Sequence, residues 1–105
     1  MAPITEDQVE VVRALVARIP AGRVSTYGDI AAEAGLSSPR IVAWIMRTDS
    51  SDLPWHRVIR ASGRPAPHLA TLQLERLRAE GVLADDGRVP LREYRHDFCS
   101  RERSG

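Results

Sequence analysis

Lysine is absent from the 105-residue sequence, so arginine supplies all 15 basic side chains. The planar guanidinium group of arginine suits phosphate recognition and stacking on bases. The formal net charge is only +1, which by itself gives no indication of a nucleic-acid partner. Between Arg40 and Arg64, however, five arginines stand against two acidic residues. This local excess fits DNA binding, and it fits equally well an arginine-rich genome and a solvated protein face.

Cysteine is nearly absent as well, because Cys99 is the only one. A single cysteine excludes an internal disulfide framework and a multi-cysteine zinc site. The three histidines lack the spacing of zinc ligands. The sequence also has neither a G-x-S-x-G nucleophile turn nor a glycine-rich phosphate loop. We therefore expect no catalytic residue, no metal site and no cofactor.

Long apolar runs are missing too. No stretch approaches the roughly 18 apolar residues that a membrane span needs, and the first residues lack the basic and apolar regions of a secretion signal. We expect a cytoplasmic protein without a membrane partner, associated with the nucleoid if it is bacterial. The length suits one small domain. We assign that domain to residues 1–98 and expect disorder from about Asp97 onward, with residues 99–105 as a tail.

Two amphipathic segments predict the longer helices. Thr5 and Gln8 form a capping-box pattern in front of valines at helical spacing, which predicts a helix over residues 6–18. A second apolar pattern predicts a helix over residues 69–80 that ends at Gly81. In this helix the following leucines should face inward: Leu69, Leu72 and Leu77.

Two short helices between these segments form a helix-turn-helix pattern. Thr26 is placed to cap a helix over residues 27–34, and Gly35 is placed to end it. Ser38 is placed to cap a further helix over residues 39–47, whose first position is a proline that lacks the unneeded N–H group. Helix, glycine turn and helix together are typical of a DNA-reading unit, although many such helix pairs are purely structural.

Short extended pieces complete the prediction. Residues 54–59 should form a turn that leads into a brief strand. Asp86 and Gly87 are a turn signal between two short apolar stretches, residues 82–83 and 89–91, which predicts a small hairpin.

The segment Pro54-Trp55-His56-Arg57-Val58 resembles the Pro-Cys-His-Arg-Val active-site motif of the O6-alkylguanine-DNA alkyltransferases, with tryptophan in place of the cysteine. Further family motifs follow in the same order over residues 6–96: Gly22-Arg23-Val24-Ser25-Thr26-Tyr27-Gly28-Asp29-Ile30-Ala31, Ser38-Pro39-Arg40-x-Val42, Met46-Arg47, Ser62-Gly63 and Leu77-x-Ala79-Glu80-Gly81-Val82. A tryptophan at the cysteine position is typical of the alkyltransferase-like proteins. The resemblance implies a mainly α fold with minor β, a winged-helix-like helix-turn-helix domain of the alkyltransferase C-terminal type.

The resemblance also implies how the chain would bind DNA. The helix-turn-helix would enter the minor groove, and a damaged guanine would be flipped into a pocket, because an alkyl group on the guanine 6-oxygen otherwise lies within the base stack. Arg40 would fill the gap in the stack, and Tyr27 would crowd the 3′ phosphate. Ser38 and Pro39 would open the recognition helix on the DNA, and Arg47 would contact a phosphate.

The pocket and its former chemistry follow from the same resemblance. Residues that match pocket positions are Tyr27, Met46, Trp55, His56, Val58, Ser62 and Gly63. His56 and Glu80 match the pair that activates the cysteine in transferases, and without a cysteine they form a vestigial relay. An indole cannot act as the nucleophile and alkyl acceptor, since that chemistry needs a thiolate.

These roles imply a non-catalytic sensor of O6-alkylguanine in double-stranded DNA, which acts as a monomer and flags the lesion for nucleotide excision repair proteins. Trp44 departs from the family, which often has a small residue there, and we expect it in the core. Two alternatives remain open. One is a helix-turn-helix transcription regulator without lesion preference, which would need a dimer; the other is an enzyme that acts on the damaged base.

Overall fold

The computed structural model describes residues 4–98. Its helices are α1 (Glu6–Ala17), α2 (Tyr27–Ala34), α3 (Pro39–Thr48), α4 (Ala70–Ala79) and α5 (Leu91–Tyr94), with 3-10 turns at Trp55–Arg57 and Pro67–Leu69. Two short strands, β1 (Ser25–Thr26) and β2 (Val58–Ile59), pair in parallel. The predicted fold class, mainly α with minor β around a helix-turn-helix, is confirmed. The predicted tail at residues 99–105, with Cys99, lies outside the described residues.

The predicted caps fix the ends of the first three helices. The Thr5 hydroxyl accepts a hydrogen bond from the backbone N–H of Gln8, and the Gln8 side-chain oxygen accepts one from the backbone N–H of Thr5, so the capping box is complete. Thr26 accepts from the N–H of Asp29 at the start of α2. Gly35 ends α2 with φ 72°, a left-handed conformation that favours glycine. These local bonds fix where α1 and α2 begin and where α2 ends.

Two apolar clusters form the core, and β2 lies between them. The first cluster joins α1, α2 and α3 through fully buried residues: Val12, Val16, Ile19, Ile30, Val42 and Ile45. The second lies around α4 and the following chain: Val24, Ile59, Leu77, Val82 and Val89. Successive strand residues point to opposite faces, so Val58 packs in the first cluster and Ile59 in the second. The short strand therefore joins both halves of the domain.

One inward-facing residue of α4 was predicted wrongly. Leu72 is 43% exposed, whereas Gln73 is buried. Gln73 lies one helical turn before the fully buried Leu77 and shares its face, while Leu72 lies on the other side. The Gln73 amide donates hydrogen bonds to the carbonyls of His56 and Val58, at 3.0 and 2.8 Å. These two backbone carbonyls satisfy the buried amide of Gln73. The apolar pattern of the helix gives no sign of them, because they belong to a distant segment of the chain.

The chain after α4 also differs from the prediction. The hairpin is reduced to one bridge between Asp85 and Arg88, because the N–H of Val89 bonds to the carbonyl of Gly63 at 2.8 Å instead of to a hairpin partner. The short helix α5 follows and was not predicted. Phe98, which we expected to be disordered, is 5% exposed and belongs to the first core cluster.

Phe98 is held by two neighbours. Its ring meets the His96 ring edge to face, with centroids 4.6 Å apart, and the Arg18 guanidinium lies 5.5 Å from its centroid.

Trp44 was predicted to lie in the core, and that prediction is wrong. Its side chain is 45% exposed, while Ile45 beside it is fully buried. No helix among the described residues is long and apolar enough to cross a membrane.

Candidate nucleic-acid interface and base pocket

A cavity of about 780 Å³ opens beside the recognition helix α3. It lies between α3, the start of α2, the Trp55 turn and the segment before α4. Seven of the predicted site residues line it: Tyr27, Pro39, Arg40, Met46, Arg47, Trp55 and Val58. The helix-turn-helix and the Pro-Trp-His-Arg-Val segment, which are distant in sequence, therefore contribute to one concave site. A large cavity with a few polar groups is the usual form of a ligand pocket.

Trp55 forms one wall of the cavity. It begins the 3-10 turn that precedes β2, and it is half-buried. The Arg76 guanidinium of α4 lies 5.2 Å from the centre of its ring system, within the range of a cation–π contact. The His56 ring meets it edge-on, with centroids 6.1 Å apart. The indole thus contacts Arg76 and His56 and also lines the cavity.

Tyr27 stands at the other side of the cavity, as the first residue of α2. Burial raises the pKa of its phenol above the ordinary value of 10, and the positive charges of Arg60 and Arg47 act in the opposite direction. The net effect keeps the phenol protonated, so its O–H remains a hydrogen-bond donor at neutral pH. A hydrogen-bond donor that shares a cavity with two guanidinium groups is a suitable arrangement for a phosphate oxygen.

The cavity lining is cationic. Besides the predicted Arg40 and Arg47, it contains Arg60 and His68, and no aspartate or glutamate occurs among its lining residues. Arg60 was not predicted as a site residue, although it falls in the arginine-rich segment noted in the sequence. Its guanidinium donates to the carbonyls of Arg64 and Pro65, at 3.2 and 3.0 Å, which fixes its orientation.

His56 and Glu80 come together as predicted, but behind the cavity wall and with a third partner. The Nε2 atom of His56 lies 3.0 Å from a Glu80 carboxylate oxygen. Arg57 donates to the same carboxylate from Nε at 3.0 Å and from Nη2 at 2.6 Å, and it also donates to the carbonyl of Ile19 at 2.8 Å. His56 is not among the residues that line the cavity, and its buried Nδ1 has no hydrogen-bond partner within residues 4–98.

The electrostatic state of Glu80 follows from these contacts. The Arg57 hydrogen bonds are the largest cause that lowers the Glu80 pKa, and the His56 hydrogen bond adds to them against an opposing effect of burial. The pKa falls to about 2. Glu80 is therefore a carboxylate throughout the physiological range and ties the Trp55 turn to the end of α4. Sequence reasoning assigned it to His56 alone and missed Arg57.

Besides His56 and Glu80, three predicted site residues lie outside the cavity lining. Ser38 caps α3, since its hydroxyl accepts a hydrogen bond from the N–H of Arg40 at 3.1 Å. Ser62 accepts one from the N–H of Arg64 at 3.3 Å and faces a different surface depression. Gly63 has φ +83°, and a Cβ atom there would meet the Val89 carbonyl oxygen at 2.5 Å. The structure thus gives Ser62 and Gly63 a loop-packing position instead of the predicted pocket position.

Comparison with protein families gives a match over most of the chain. Residues 7–82 match the family described as "6-O-methylguanine DNA methyltransferase, DNA binding domain". The "DNA base-flipping protein" of Escherichia coli is 40% identical over 92 residues, with 80% of this chain and 70% of that protein covered. The "Alkyltransferase-like protein 1" of Schizosaccharomyces pombe is 40% identical over 74 residues, with 64% of this chain and 68% of that protein covered.

Solved structures agree with this match. S. pombe Atl1 in complex with damaged DNA containing O6-carboxymethylguanine is similar with a TM-score of 0.76 at 31% identity, over 89% of this chain and 97% of that chain. The Mycobacterium tuberculosis O6-methylguanine methyltransferase gives a TM-score of 0.63 at 28% identity, over 78% of this chain and 52% of that chain. The chain therefore belongs to the family of the 6-O-methylguanine DNA methyltransferase DNA-binding domain, among its alkyltransferase-like members.

Proposed function

We propose that this protein is a non-catalytic sensor of alkylated DNA, which binds O6-alkylguanine in a duplex, flips the base into the cavity beside α3 and flags it for nucleotide excision repair. The observation that carries the proposal is the position of Trp55. It forms a wall of the cavity at the place where the transferase motif has a cysteine. The cavity lining therefore carries an indole at the motif position where a transferase would carry its thiol nucleophile.

The lining of the cavity supports DNA as the partner. Three arginines line it, Arg40, Arg47 and Arg60, together with His68, and its lining residues include no acidic side chain. Phosphate contacts from arginine supply much of the affinity of DNA-binding proteins. The crystal structure of a related protein with O6-carboxymethylguanine DNA supports the class of lesion.

The arrangement of the site supports base flipping. A cavity of about 780 Å³ has room for a flipped base. Arg40 lies at its rim on the second residue of α3, where a long side chain can enter the duplex as the base leaves. Tyr27 lies where its phenol can meet the adjacent phosphate. By family resemblance, we propose entry through the minor groove by a monomeric protein.

Without a nucleophile the protein cannot remove the alkyl group, so binding ends in a protein–DNA complex and the base stays unrepaired. A flipped base held between Tyr27 and Trp55 keeps the duplex deformed. We propose that this complex recruits nucleotide excision repair proteins and competes with cysteine-bearing transferases for the same lesion. The protein would act in the cytoplasm, on the nucleoid if the cell is bacterial.

The deciding experiment compares two duplexes that differ only in one O6-methyl group. Binding of the full chain is measured by fluorescence anisotropy at several stated salt concentrations, because phosphate contacts make affinity salt-dependent. Tighter binding to the methylated duplex, with unchanged DNA and protein masses after incubation, supports a non-catalytic sensor. Equal affinity for both duplexes would contradict lesion sensing and favour a plain helix-turn-helix regulator, and a changed mass would indicate an enzyme.

A further inference from the structure

Trp44 is a large apolar side chain on α3 that the fold leaves in solvent. It is 45% exposed, whereas its neighbours Val42 and Ile45 are fully buried. Within residues 4–98, no ring stacking, cation–π contact or hydrogen bond involves its indole. Trp55, by contrast, is held by Arg76 and His56. A single exposed apolar residue is ordinary on a protein surface, so the setting of Trp44 decides whether it has a role.

The setting of Trp44 is the outward face of the recognition helix. Arg40, Trp44 and Arg47 follow one another at spacings of four and three residues, so they share one side of α3, and all three are exposed. Helix α3 contains no acidic residue. Arg40 and Arg47 also line the cavity, whereas Trp44 does not. The indole therefore lies on the outer surface of α3, beside the pocket and between two cations.

We propose that Trp44 is a DNA contact outside the base pocket, and that its indole lies against the deoxyribose wall of the groove that α3 enters. The charge complementarity of Arg40 and Arg47 selects a polyanion as the occupant of this face. Next to each phosphate, DNA presents the carbon surface of a sugar, on which a broad apolar ring can pack. The indole N–H, which is free within the described part of the chain, can donate to a phosphate oxygen.

This contact would act on DNA in general. Sugars are the same at every position, so the indole carries no information on sequence or damage. Burial of apolar surface releases no counterions, so Trp44 would add affinity without adding to the salt dependence. The proposal rests on the proposed function only for the nature of the partner, duplex DNA. It predicts that Trp44 strengthens binding to plain and damaged duplexes by the same factor.

The first test measures affinities of two variants. Trp44→Ala should weaken binding to plain and O6-methylguanine duplexes about tenfold each, the order expected when the partial burial of one large apolar side chain is lost. The ratio of the two affinities and the salt dependence should stay the same. Trp44→Phe should retain most of the affinity. Leu83→Ala is the matched control, because Leu83 is 57% exposed and lies outside α3; it should bind both duplexes normally.

The second test uses the fact that the chain has only two tryptophans. Trp55→Phe leaves Trp44 as the sole indole, and its emission should change on addition of the plain duplex. Trp44→Phe leaves Trp55, whose emission should change much more with the methylated duplex than with the plain one. The Trp55→Phe variant therefore reports on the outer face of α3, and the Trp44→Phe variant reports on the cavity. Each differs from the wild type by a single substitution.

Several results would overturn the proposal. Unchanged affinity of Trp44→Ala for both duplexes would do so, as would a loss confined to the methylated duplex, which would assign Trp44 to the pocket. A wild-type dimer that Trp44→Ala dissociates, with unchanged DNA binding, would show that a second copy covers this face. Lack of lesion preference in the wild type contradicts the proposed function alone, since the Trp44 contact is then judged on the plain duplex.

Discussion

Arg57 donates two hydrogen bonds to the Glu80 carboxylate, from Nε at 3.0 Å and from Nη2 at 2.6 Å. The two residues are 23 positions apart and join the Trp55 turn to the end of α4. A bidentate arginine–carboxylate pair is stronger and more directional than a single ion-pair contact. Glu80 therefore serves chiefly to hold the Trp55 wall in place, and its contact with His56 is secondary.

Glu80→Gln should lower the free energy of unfolding by about 2 kcal/mol, the usual contribution of hydrogen bonds to a charged group. The folded-state pKa of about 2 lies below the ordinary 4.5, so the charged pair stabilises the wild type above about pH 4.5. That contribution is lost as the pH falls toward 2. Urea unfolding at pH 7 and pH 3 measures this, and the difference between the two proteins should shrink at pH 3. Glu75→Gln, an exposed change in α4, should have little effect.

Under the proposed function, Arg40→Ala should weaken binding to the methylated duplex by no more than about 3 kcal/mol, because filling the gap in the base stack would be worth a few kcal/mol. The effect should be larger than on the plain duplex, where no base is flipped. Arg92→Ala removes the same charge from an exposed site in α5 outside the cavity and controls for the change in net charge. A loss as large for Arg92→Ala would show that overall charge, not position, explains the effect.

Tyr27→Phe should impair flipping more than folding. The α2 cap is the Thr26 hydroxyl, which the change leaves intact, so the unfolding free energy should move by no more than about 0.5 kcal/mol. Emission from a fluorescent base analogue in the duplex reports flipping. Because burial raises the Tyr27 pKa above 10, the wild-type signal should not titrate with the phenol between pH 7 and about pH 9. Normal flipping by both Tyr27→Phe and Arg40→Ala would contradict the roles given to these residues.

Gly63→Ala should destabilise the fold and leave the lesion preference of the folded protein unchanged. The new Cβ would lie 2.5 Å from the Val89 carbonyl oxygen, so we expect a loss of about 3 kcal/mol from backbone strain and crowding together. Gly81→Ala is the control, since Gly81 also has a positive φ (+89°) but nothing lies within 4 Å of its Cβ position. Its loss should be about 1 kcal/mol. Equal losses would show that the Val89 contact is not limiting.

Trp55→Cys recreates the Pro-Cys-His-Arg-Val sequence of the transferase motif, and we expect little or no transferase activity from this variant. The His56 Nε2 atom faces Glu80, whose carboxylate is already bound by Arg57. A cysteine side chain is also much smaller than an indole, so its sulfur would reach less far toward a base in the cavity. Mass spectrometry of the protein after incubation with a methylated duplex measures transfer. Peptide mapping must separate position 55 from Cys99. A methylated cysteine at position 55 would show that His56 and Glu80, the vestigial relay, can still activate a thiol.

Local features of this fold were readable from the sequence because local bonds determine them. Thr5, Thr26 and Ser38 each cap the helix that follows, as predicted from their position and type. Gly35 adopts the left-handed conformation that its place after α2 indicated. The motif resemblance added long-range information, and it placed Tyr27 and Trp55 at one cavity although they are 28 residues apart in sequence.

Features that depend on distant contacts were missed. Gln73 is polar but buried, because two backbone carbonyls from the Trp55 turn meet its amide. Phe98 follows a polar stretch that suggested disorder, yet the core offers it a place beside Arg18. Trp44 is exposed because α3 turns it away from the buried side occupied by Ile45. Helical spacing alone does not reveal which neighbours each face will meet.

The parallel pairing of β1 with β2 has a consequence for how binding proceeds. β1 runs directly into Tyr27, and β2 follows directly on the turn that carries Trp55, with Ser25 opposite Val58 and Thr26 opposite Ile59. The backbone segments that carry these two walls are therefore paired with each other in the free protein, so we expect the cavity to be pre-organised. Under the proposed function, the reorganisation needed for recognition would fall on the duplex, so bases whose pairing is already weakened would be captured most readily.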